Sequence, residues 1–516
     1  MIGGKLRYNG LPFRAGALWL WLLVADTLAP VGAAAAAELR VGWATADVTP
    51  DLSGGRVVSA RGLLTPRITG EVRTPLLSTV LALESVRADG QSYGAILVSG
   101  DIITSASSHA DGSGVSLVNL LRSRLEGRLP GFDLRNLIFS ATHTHNGPSW
   151  EDDLYSVSAP NMLSETEYRE FMLRRTTDAV VKAWEGRQPG KMAWALTHAA
   201  VGYNRRVVYA DGKAVMGGWR KNLRFEVIEA GDDHALELLY FWDAGDRLTG
   251  VVANVPCPSQ VEIQDNVVSA DFWGQVRLRM AATPDLAGAR VLTHCGAAGD
   301  QWPYQQPRDK AEADMRARRN LTLSGEIARR IVSGMMEARP LARARMEAGP
   351  VFAHASATVE IPIQRLTPAQ LEKLRRDVAQ LEILPESNPI RFNLLMRARR
   401  GLDLQLAFDH QPRKFLVEIQ ALRLGDAVLT TNPFELYVDY GARIKARSPA
   451  TLTMIAQLTN GVGSGGAYLP TARAIEAGGY SADPMYNNCP VGPEGGGMLV
   501  DRTVQLIEQM WKEPNR

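Results

Sequence analysis

Two histidines separated by one residue follow an apolar run in this 516-residue chain. The segment SATHTHNGP, residues 140–148, places His143 and His145 directly before a turn of Asn, Gly and Pro. Side chains two positions apart on an extended segment point to the same side, so both imidazoles are expected to face one pocket. Imidazole binds zinc, and its pKa lies close to neutral pH. The spacing alone fits a metal ligand, a proton-transfer group or two polar residues of an exposed turn.

One of the three cysteines stands in an unusual context. Cys257 lies between Pro256 and Pro258 in the segment ANVPCPSQ, at the end of an apolar run. A thiolate can bind zinc or act as a nucleophile, whereas a neutral cysteine is often a small buried residue. The local pattern leaves these interpretations open. Three cysteines permit one disulfide at most, and at least one thiol remains free or binds a ligand.

Further polar residues occur where apolar runs end in loops rich in Gly and Pro. Asp300 lies in GAAGDQWP, Glu435 follows a proline in TTNPFELY, and Tyr468 comes after the loop GVGSGG. Binding and catalytic residues commonly lie on loops at strand ends. Each residue also has a structural interpretation, namely a stabilised turn, a helix start and core packing. No G-K-[ST] motif is present, so a phosphate-binding P-loop is not indicated.

Eight segments, taken in their order along the chain, resemble motifs of the neutral/alkaline ceramidases. They are VGWATADVTP, ILVSGD, SATHTHNGP, YNRR, VSADFWG, GAAGDQWP, NPFE and AYLPT. The family consists of zinc amidases that cleave N-acylsphingosine into sphingosine and a fatty acid. The resemblance therefore implies a zinc-dependent amide hydrolase with a ceramidase-like α/β catalytic domain and a small-molecule amide or lipid substrate. Contact with a membrane surface through that substrate is a further expectation.

The resemblance also implies roles for individual residues. The metal set would comprise His143, Glu435 and Tyr468, with Cys257 at the position of the second zinc histidine. The expected catalytic residues are His145, Arg205 and Asp300, and the expected substrate-pocket residues are Trp302 and Tyr480. Under this scheme His143 holds the metal while His145 and Arg205 lie around the scissile amide.

Two positions depart from the family pattern. Cys257 replaces a zinc histidine, and its negative charge would make the metal a weaker Lewis acid. Trp302 stands where the family has its proposed serine nucleophile, and an indole cannot be acylated. We therefore expect metal-bound water to attack the amide. Two alternatives remain, a hydrolase that uses Cys257 as its nucleophile and a lipid- or glycan-binding protein in which Trp302 provides a stacking surface.

The N-terminal segment 1–37 has the pattern of a signal peptide. Lys5, Arg7 and Arg14 precede an apolar stretch that ends in a run of alanines. We expect export to the periplasm or the extracellular space, and a single catalytic domain over 38–516 without a C-terminal β-sandwich domain. Removing 1–37 leaves 54 basic and 54 acidic residues. The absence of a positive surplus argues against a nucleic-acid partner.

The remaining sequence predicts an α/β fold with a mixed β-sheet core and flanking helices. The runs TVLALESV and YGAILVSGD lie on either side of RADGQS, which is typical of a hairpin turn. Ser164 and Glu167 have the spacing of a capping box, which marks a helix start. One helix is predicted over residues 310–338. Hairpins exclude a purely parallel sheet.

Overall fold

The computed structural model describes residues 34–35, 38–63, 65–107, 114–151, 157–217, 224–385, 391–410, 414–461, 467–486 and 489–512. The predicted signal peptide therefore lies outside the described residues, except for Ala34 and Ala35, and it stays a prediction. In the described ranges, no helix combines the length and the apolar character needed to cross a membrane.

The larger of two main sheets has eight strands. Their spatial order is Arg290–Cys295, Leu248–Val255, Ala235–Asp243, Gln188–His198, Glu38–Asp47, Leu77–Val86, Ser92–Gly100 and Leu137–Ala141. The pairs at the two edges are parallel, and the pairs between them are antiparallel. The mixed sheet and the hairpin around RADGQS, both predicted from the sequence, are thus confirmed.

The smaller main sheet has five strands, and the two sheets face each other. Its order is Ala34–Ala35, Val351–Pro362, Lys414–Leu424, Ala427–Thr431 and Leu452–Ala456. Alternate residues of a strand point to opposite faces. Leu81 and Leu83 accordingly pack in one core with Leu422 and Leu429 of the smaller sheet. The intervening residues of each strand face the helices, so the fold has four layers in the order α/β/β/α.

Helices cover the outer face of each sheet. The α-helices are Leu117–Leu125, Glu165–Glu185, Phe272–Ala281, Asp309–Arg318, Leu323–Arg343, Pro368–Glu382, Arg391–His410, Val438–Arg447, Ala472–Ala477 and Pro493–Lys512, and two 3-10 turns are Ser53–Gly55 and Leu134–Asn136. The short strands are Val58–Arg61, Arg67–Thr69, Gly147–Pro148, Tyr203–Asn204, Arg206–Tyr209, Ala214–Met216, Phe225–Ile228, Gln301–Trp302, Glu435–Leu436 and Tyr468–Leu469. Three of the residues singled out by the sequence, Trp302, Glu435 and Tyr468, lie in these short strands.

Local signals set the helix boundaries. The capping box of Ser164 and Glu167 is confirmed, since each side chain accepts from the other's backbone N–H. The single helix predicted over 310–338 is wrong, because the chain breaks there into two helices. Asn320 adopts a left-handed φ of 51°, which Asn tolerates better than most residues. Thr322 then caps the second helix by accepting from the N–H of Gly325 at 3.1 Å.

Candidate active site

The two histidines of SATHTH lie against each other just beyond the edge strand Leu137–Ala141. His143 Nδ1 donates to the carbonyl of Ile103 at 2.6 Å, and His145 Nδ1 donates to that of Gly62 at 2.8 Å. A carbonyl only accepts, so each Nδ1 carries a proton, and in the neutral rings each Nε2 has a free lone pair. The two Nε2 atoms are 3.3 Å apart. His143 also has a left-handed φ of 61°, a strained conformation of the kind that clusters at functional sites.

A two-residue parallel ribbon brings Glu435 and Tyr468 to this pair of rings. The two residues are direct partners in the ribbon, and Glu435 N–H donates to the carbonyl of Ala467 at 2.9 Å. Glu435 Oε2 lies 3.4 Å from His143 Nε2. Residues 33 positions apart in sequence thereby present a carboxylate and a phenol next to an imidazole.

Arg205 joins the cluster through Tyr468. Its Nη2 donates to Tyr468 OH at 3.3 Å and to the carbonyl of Gly299 at 3.0 Å. Its Nε is buried and has no hydrogen-bond partner among the described residues. The Tyr468 hydroxyl in turn donates to that of Tyr480 at 3.4 Å. Arg205 therefore retains a buried donor that a bound molecule can use.

Burial controls the ionisation of this cluster. Burial, with a smaller contribution from the charge of His143, holds the pKa of His145 well below its usual value. Burial also raises the pKa of Tyr468, with the Glu435 charge acting in the same direction. Burial alone would lower the pKa of Arg205, but the surrounding Tyr468, Glu435 and Tyr480 oxygens outweigh it, and that pKa is raised. The site therefore keeps its guanidinium charged.

The donor types and spacing at His143 and Glu435 fit two ligands of a zinc ion. Nitrogen and oxygen ligands of tetrahedral zinc lie about 2.0–2.2 Å from the metal, which places them roughly 3.3–3.5 Å from each other. The observed 3.4 Å agrees. A metal-binding histidine usually donates its other N–H to a carbonyl, as His143 does to Ile103. Among the described residues, no larger group of three or more His, Cys, Asp or Glu side chains is arranged to hold a metal.

Asp300 does not lie in the cluster but ties its elements together. Its carboxylate accepts from Asn204 Nδ2 at 2.7 Å and from the N–H of Val438 at 2.9 Å, and its carbonyl accepts from Arg205 N–H at 2.9 Å. The Val438 bond caps the helix Val438–Arg447, whose N-cap residue Tyr437 provides no side-chain cap. Burial raises the pKa of Asp300 to about 6. These contacts give Asp300 a positioning role, and the catalytic role that the resemblance implied stays a prediction.

Gly299 permits the close approach of the loop before Asp300 to the Glu435 ribbon. A Cβ atom at Gly299 would lie 2.3 Å from the carbonyl oxygen of Glu435, and Gly299 N–H donates to the carbonyl of Leu436. We expect Gly299→Ala to reduce the free energy of unfolding by about 1–3 kcal/mol, because rigid backbone atoms must move. Gly245→Ala is the control, since a Cβ atom there would lie at an ordinary van der Waals distance of 3.5 Å from the nearest side-chain atom. Urea unfolding measures the stability of the two variants. Equal stability of the two variants would contradict the prediction.

Cys257 forms its hydrogen bonds with residues outside this cluster. Its side chain is 1% exposed, and its thiol donates to the carbonyl of Val201 at 3.3 Å. Its own carbonyl accepts from the thiol of Cys295 at 3.5 Å. Burial raises the pKa of Cys257 well above its usual value. The role of Cys257 as a zinc ligand stays a prediction.

The two expected pocket residues have different surroundings. Tyr480 adjoins Tyr468 with ring centroids 5.6 Å apart, and Arg397 lies over its ring at 5.2 Å. Trp302 pairs with Tyr203 in a short ribbon, and its ring packs edge-on against Tyr304 at 5.1 Å. Tyr480 is therefore joined to the cluster, while Trp302 lies in the adjoining ribbon.

Gln457 is a site residue that sequence reasoning missed. It is fully buried, and its Oε1 accepts from the N–H of Ala298 at 3.1 Å and of Leu436 at 3.0 Å. It thus joins the loop before Asp300 to the Glu435 ribbon. The available signal was a polar residue directly after the buried strand Leu452–Ala456, the same feature that drew attention to the other loops.

Known proteins resemble this chain in structure. No family model matches the sequence, and no curated protein matches it either. A solved structure described as a ceramidase complexed with C2 has a TM-score of 0.61 and 16% identity, and covers 92% of this chain and 75% of its own. The neutral ceramidase from Pseudomonas aeruginosa has a TM-score of 0.61 and 17% identity, with coverage of 93% and 75%. The chain has the fold of the neutral ceramidases, as its sequence motifs predict.

Proposed function

We propose that this protein is a zinc-dependent amide hydrolase with ceramidase-like chemistry. The observation that carries the proposal is the pair His143 Nε2 and Glu435 Oε2 at 3.4 Å, flanked by His145 and by the unpaired Nε of Arg205. A ligand pair, a proton acceptor and a buried cation in one place suit the hydrolysis of an uncharged amide. Their arrangement within a ceramidase fold supports the same conclusion.

His143 and Glu435 would hold the zinc, and the family resemblance adds Tyr468 and Cys257 to the set. When bound, zinc polarises a carbonyl and lowers the pKa of a water molecule toward about 7. Tyr468 is already next to Glu435 in the ribbon. Cys257 would have to exchange its bond to Val201 for one to the metal.

The chain's own residues would supply the remaining chemistry. Arg205 Nε–H is a buried donor that can hydrogen-bond the amide oxygen as negative charge develops there. His145 keeps its Nδ1 proton on Gly62, so its Nε2 can accept a proton from the attacking water. The oxygen of that water bonds to the carbonyl carbon, the C–N bond breaks, and the proton passes to the leaving nitrogen. Water is proposed as the nucleophile because Trp302 replaces the family serine.

The proposed substrate is an N-acylsphingosine or a related acyl amide. This choice rests on the resemblance and on the ceramidase neighbours, one of which is complexed with C2. Export through the segment 1–37 and contact with a membrane surface through the lipid belong to the same proposal. A lipid substrate would require the site to open toward such a surface.

The experiment is to measure binding and turnover of a fluorescent N-acylsphingosine in parallel with the purified protein. Release of the fluorescent fatty acid supports the hydrolase. Binding without turnover, weakened by Trp302→Ala, supports instead a binding protein that stacks its ligand on the indole. The buried N–H of Trp302 has no hydrogen-bond partner among the described residues. A bound ligand could accept from it, and this observation favours the second function.

Alkylation tests the remaining alternative, a hydrolase in which Cys257 is the nucleophile. We expect native protein treated with iodoacetamide to remain unlabelled at Cys257, because the thiol is buried and its pKa is raised. Unfolded protein, in which the thiol is accessible, is the positive control for labelling. Mass spectrometry locates the label. Stoichiometric modification of Cys257 with loss of activity would instead establish it as the nucleophile, and labelling that requires a chelator would indicate a metal ligand.

A further inference from the structure

A small cavity lies outside the proposed active site. Its volume is about 150 Å³. None of the metal-ligand or catalytic candidates described above lines it. Asn204, which does, is the chain neighbour of the candidate Arg205. The lining residues are Tyr203, Asn204, Ile228, Ala230, Gly231, Asp232, Gln305, Gln306 and Pro307. The proposed hydrolysis does not use this cavity.

An unpaired acceptor belongs to Gln306, one of the residues that line the cavity. Gln306 is 3% exposed, and its Nε2 donates to the carbonyl of Asn204 at 3.2 Å. Turning the amide over would place two acceptor oxygens against each other, so this bond fixes the orientation. The Oε1 atom is then buried with no hydrogen-bond partner among the described residues. A buried acceptor without a donor is costly, so the cavity favours a molecule that donates a hydrogen bond there.

The charge of the cavity is negative. Asp232 is the one charged residue of the lining. Its Oδ1 accepts from the N–H of Asn204 at 2.6 Å, and this bond holds the carboxylate at the wall. Its Oδ2 lies 3.7 Å from His234 Nε2, which is within ion-pair distance when that ring is protonated but too far for a hydrogen bond. The carboxylate is therefore fixed in position and still able to pair with a cation.

The remaining walls are aromatic and apolar. Tyr203 contributes an aromatic ring, and Ile228, Ala230 and Pro307 contribute aliphatic surface. An aromatic ring attracts a cation, and aliphatic walls suit alkyl groups. We infer that this cavity binds a small organic ammonium ion, which donates to Gln306 Oε1, pairs with Asp232 and packs its alkyl part against the apolar wall.

The test is calorimetric titration of the full-length protein with ethylammonium chloride, with sodium chloride matching the ionic strength. Ethanol is the neutral probe of similar size. The inference predicts saturable one-to-one binding of ethylammonium and no measurable binding of ethanol. It also predicts that Asp232→Asn weakens ethylammonium binding by about tenfold or more, since a charge-assisted hydrogen bond becomes a neutral one. Asparagine keeps an oxygen that can accept from the N–H of Asn204, so the wall should stay in place.

Glu226→Gln is the matched control variant. It removes the same charge from an exposed position two residues before Ile228, outside the lining. Binding that is equally weak in both variants would show attraction to net charge and would overturn the inference. Gln306→Leu, which removes the unpaired acceptor at similar size, should also weaken binding about tenfold. Absence of saturable binding to the native protein would mean that water alone fills the cavity, and would overturn the inference too.

Discussion

Replacing Glu435 by Gln is expected to reduce amide hydrolysis by about 10²–10³-fold while leaving the protein folded. The substitution preserves the size of the side chain but removes the negative charge 3.4 Å from His143 Nε2. It also removes a charge that stabilises the Arg205 guanidinium. Zinc per protein molecule, measured by elemental analysis, should fall together with kcat/KM, because a neutral amide is a poor substitute for a carboxylate ligand.

Glu360→Gln is the control for Glu435→Gln. Glu360 lies on a strand of the smaller sheet and pairs with Lys414 at the surface, so its loss should change neither zinc content nor rate. Circular dichroism establishes that both variants are folded. A Glu435→Gln protein with full zinc content and full activity would contradict the role of Glu435 as a zinc ligand, and with it the proposed function.

Replacing Arg206 by Met is expected to lower the free energy of unfolding by about 3–5 kcal/mol, because it leaves a buried carboxylate without its partner. Arg206 is fully buried, and its Nε and Nη2 donate to the two oxygens of Glu229 at 2.7 and 2.8 Å. It also donates to the carbonyls of Ala474, Gly478 and Tyr480. The same side chain therefore fixes the segment that carries Tyr480. Urea unfolding gives the change.

Two further variants make this result specific. Arg247→Met breaks an ion pair with Asp243 whose arginine side chain is 83% exposed, and it should cost less than about 1 kcal/mol. The double variant Arg206→Met with Glu229→Leu should recover part of the lost stability, since no unpaired charge then remains. A loss below about 1 kcal/mol for Arg206→Met alone would show that the buried pair contributes little.

Features that depend on nearby residues were predictable from the sequence. The hairpin around RADGQS and the capping box of Ser164 and Glu167 each depend on a few neighbouring side chains. Alternation shows which residues share a face of a strand, but it does not say which sheet that face meets. The stacking of the two sheets therefore emerged only from the three-dimensional contacts.

The two long helices that were not predicted contain glycines with tertiary roles. Gly401 lies inside Arg391–His410, where a Cβ would come within 2.1 Å of the carbonyl oxygen of Met485. Gly496 lies inside Pro493–Lys512 and packs against the ring of Tyr440. Glycine disfavours a helix by about 1 kcal/mol relative to alanine. Packing with distant residues outweighs that local preference here.

Sequence motifs identified most members of the active-site cluster, but not how they are held. The resemblance named His143, His145, Arg205, Glu435 and Tyr468, and the structure brings them together. The imidazoles are oriented by the carbonyls of Ile103 and Gly62. These contacts could not be predicted from the sequence, because every residue has a backbone carbonyl. The function of Asp300 as a link between chain segments depends likewise on distant backbone positions.

Turnover of a fluorescent N-acylsphingosine with a chelator, followed by addition of zinc, tests the central claim most directly. We expect cleavage by the purified protein, its loss on chelation and its recovery with zinc, although Trp302 replaces the family serine. A folded, zinc-loaded protein that leaves the amide intact would contradict the proposed function. Cleavage that is insensitive to the chelator would contradict the role assigned to His143 and Glu435.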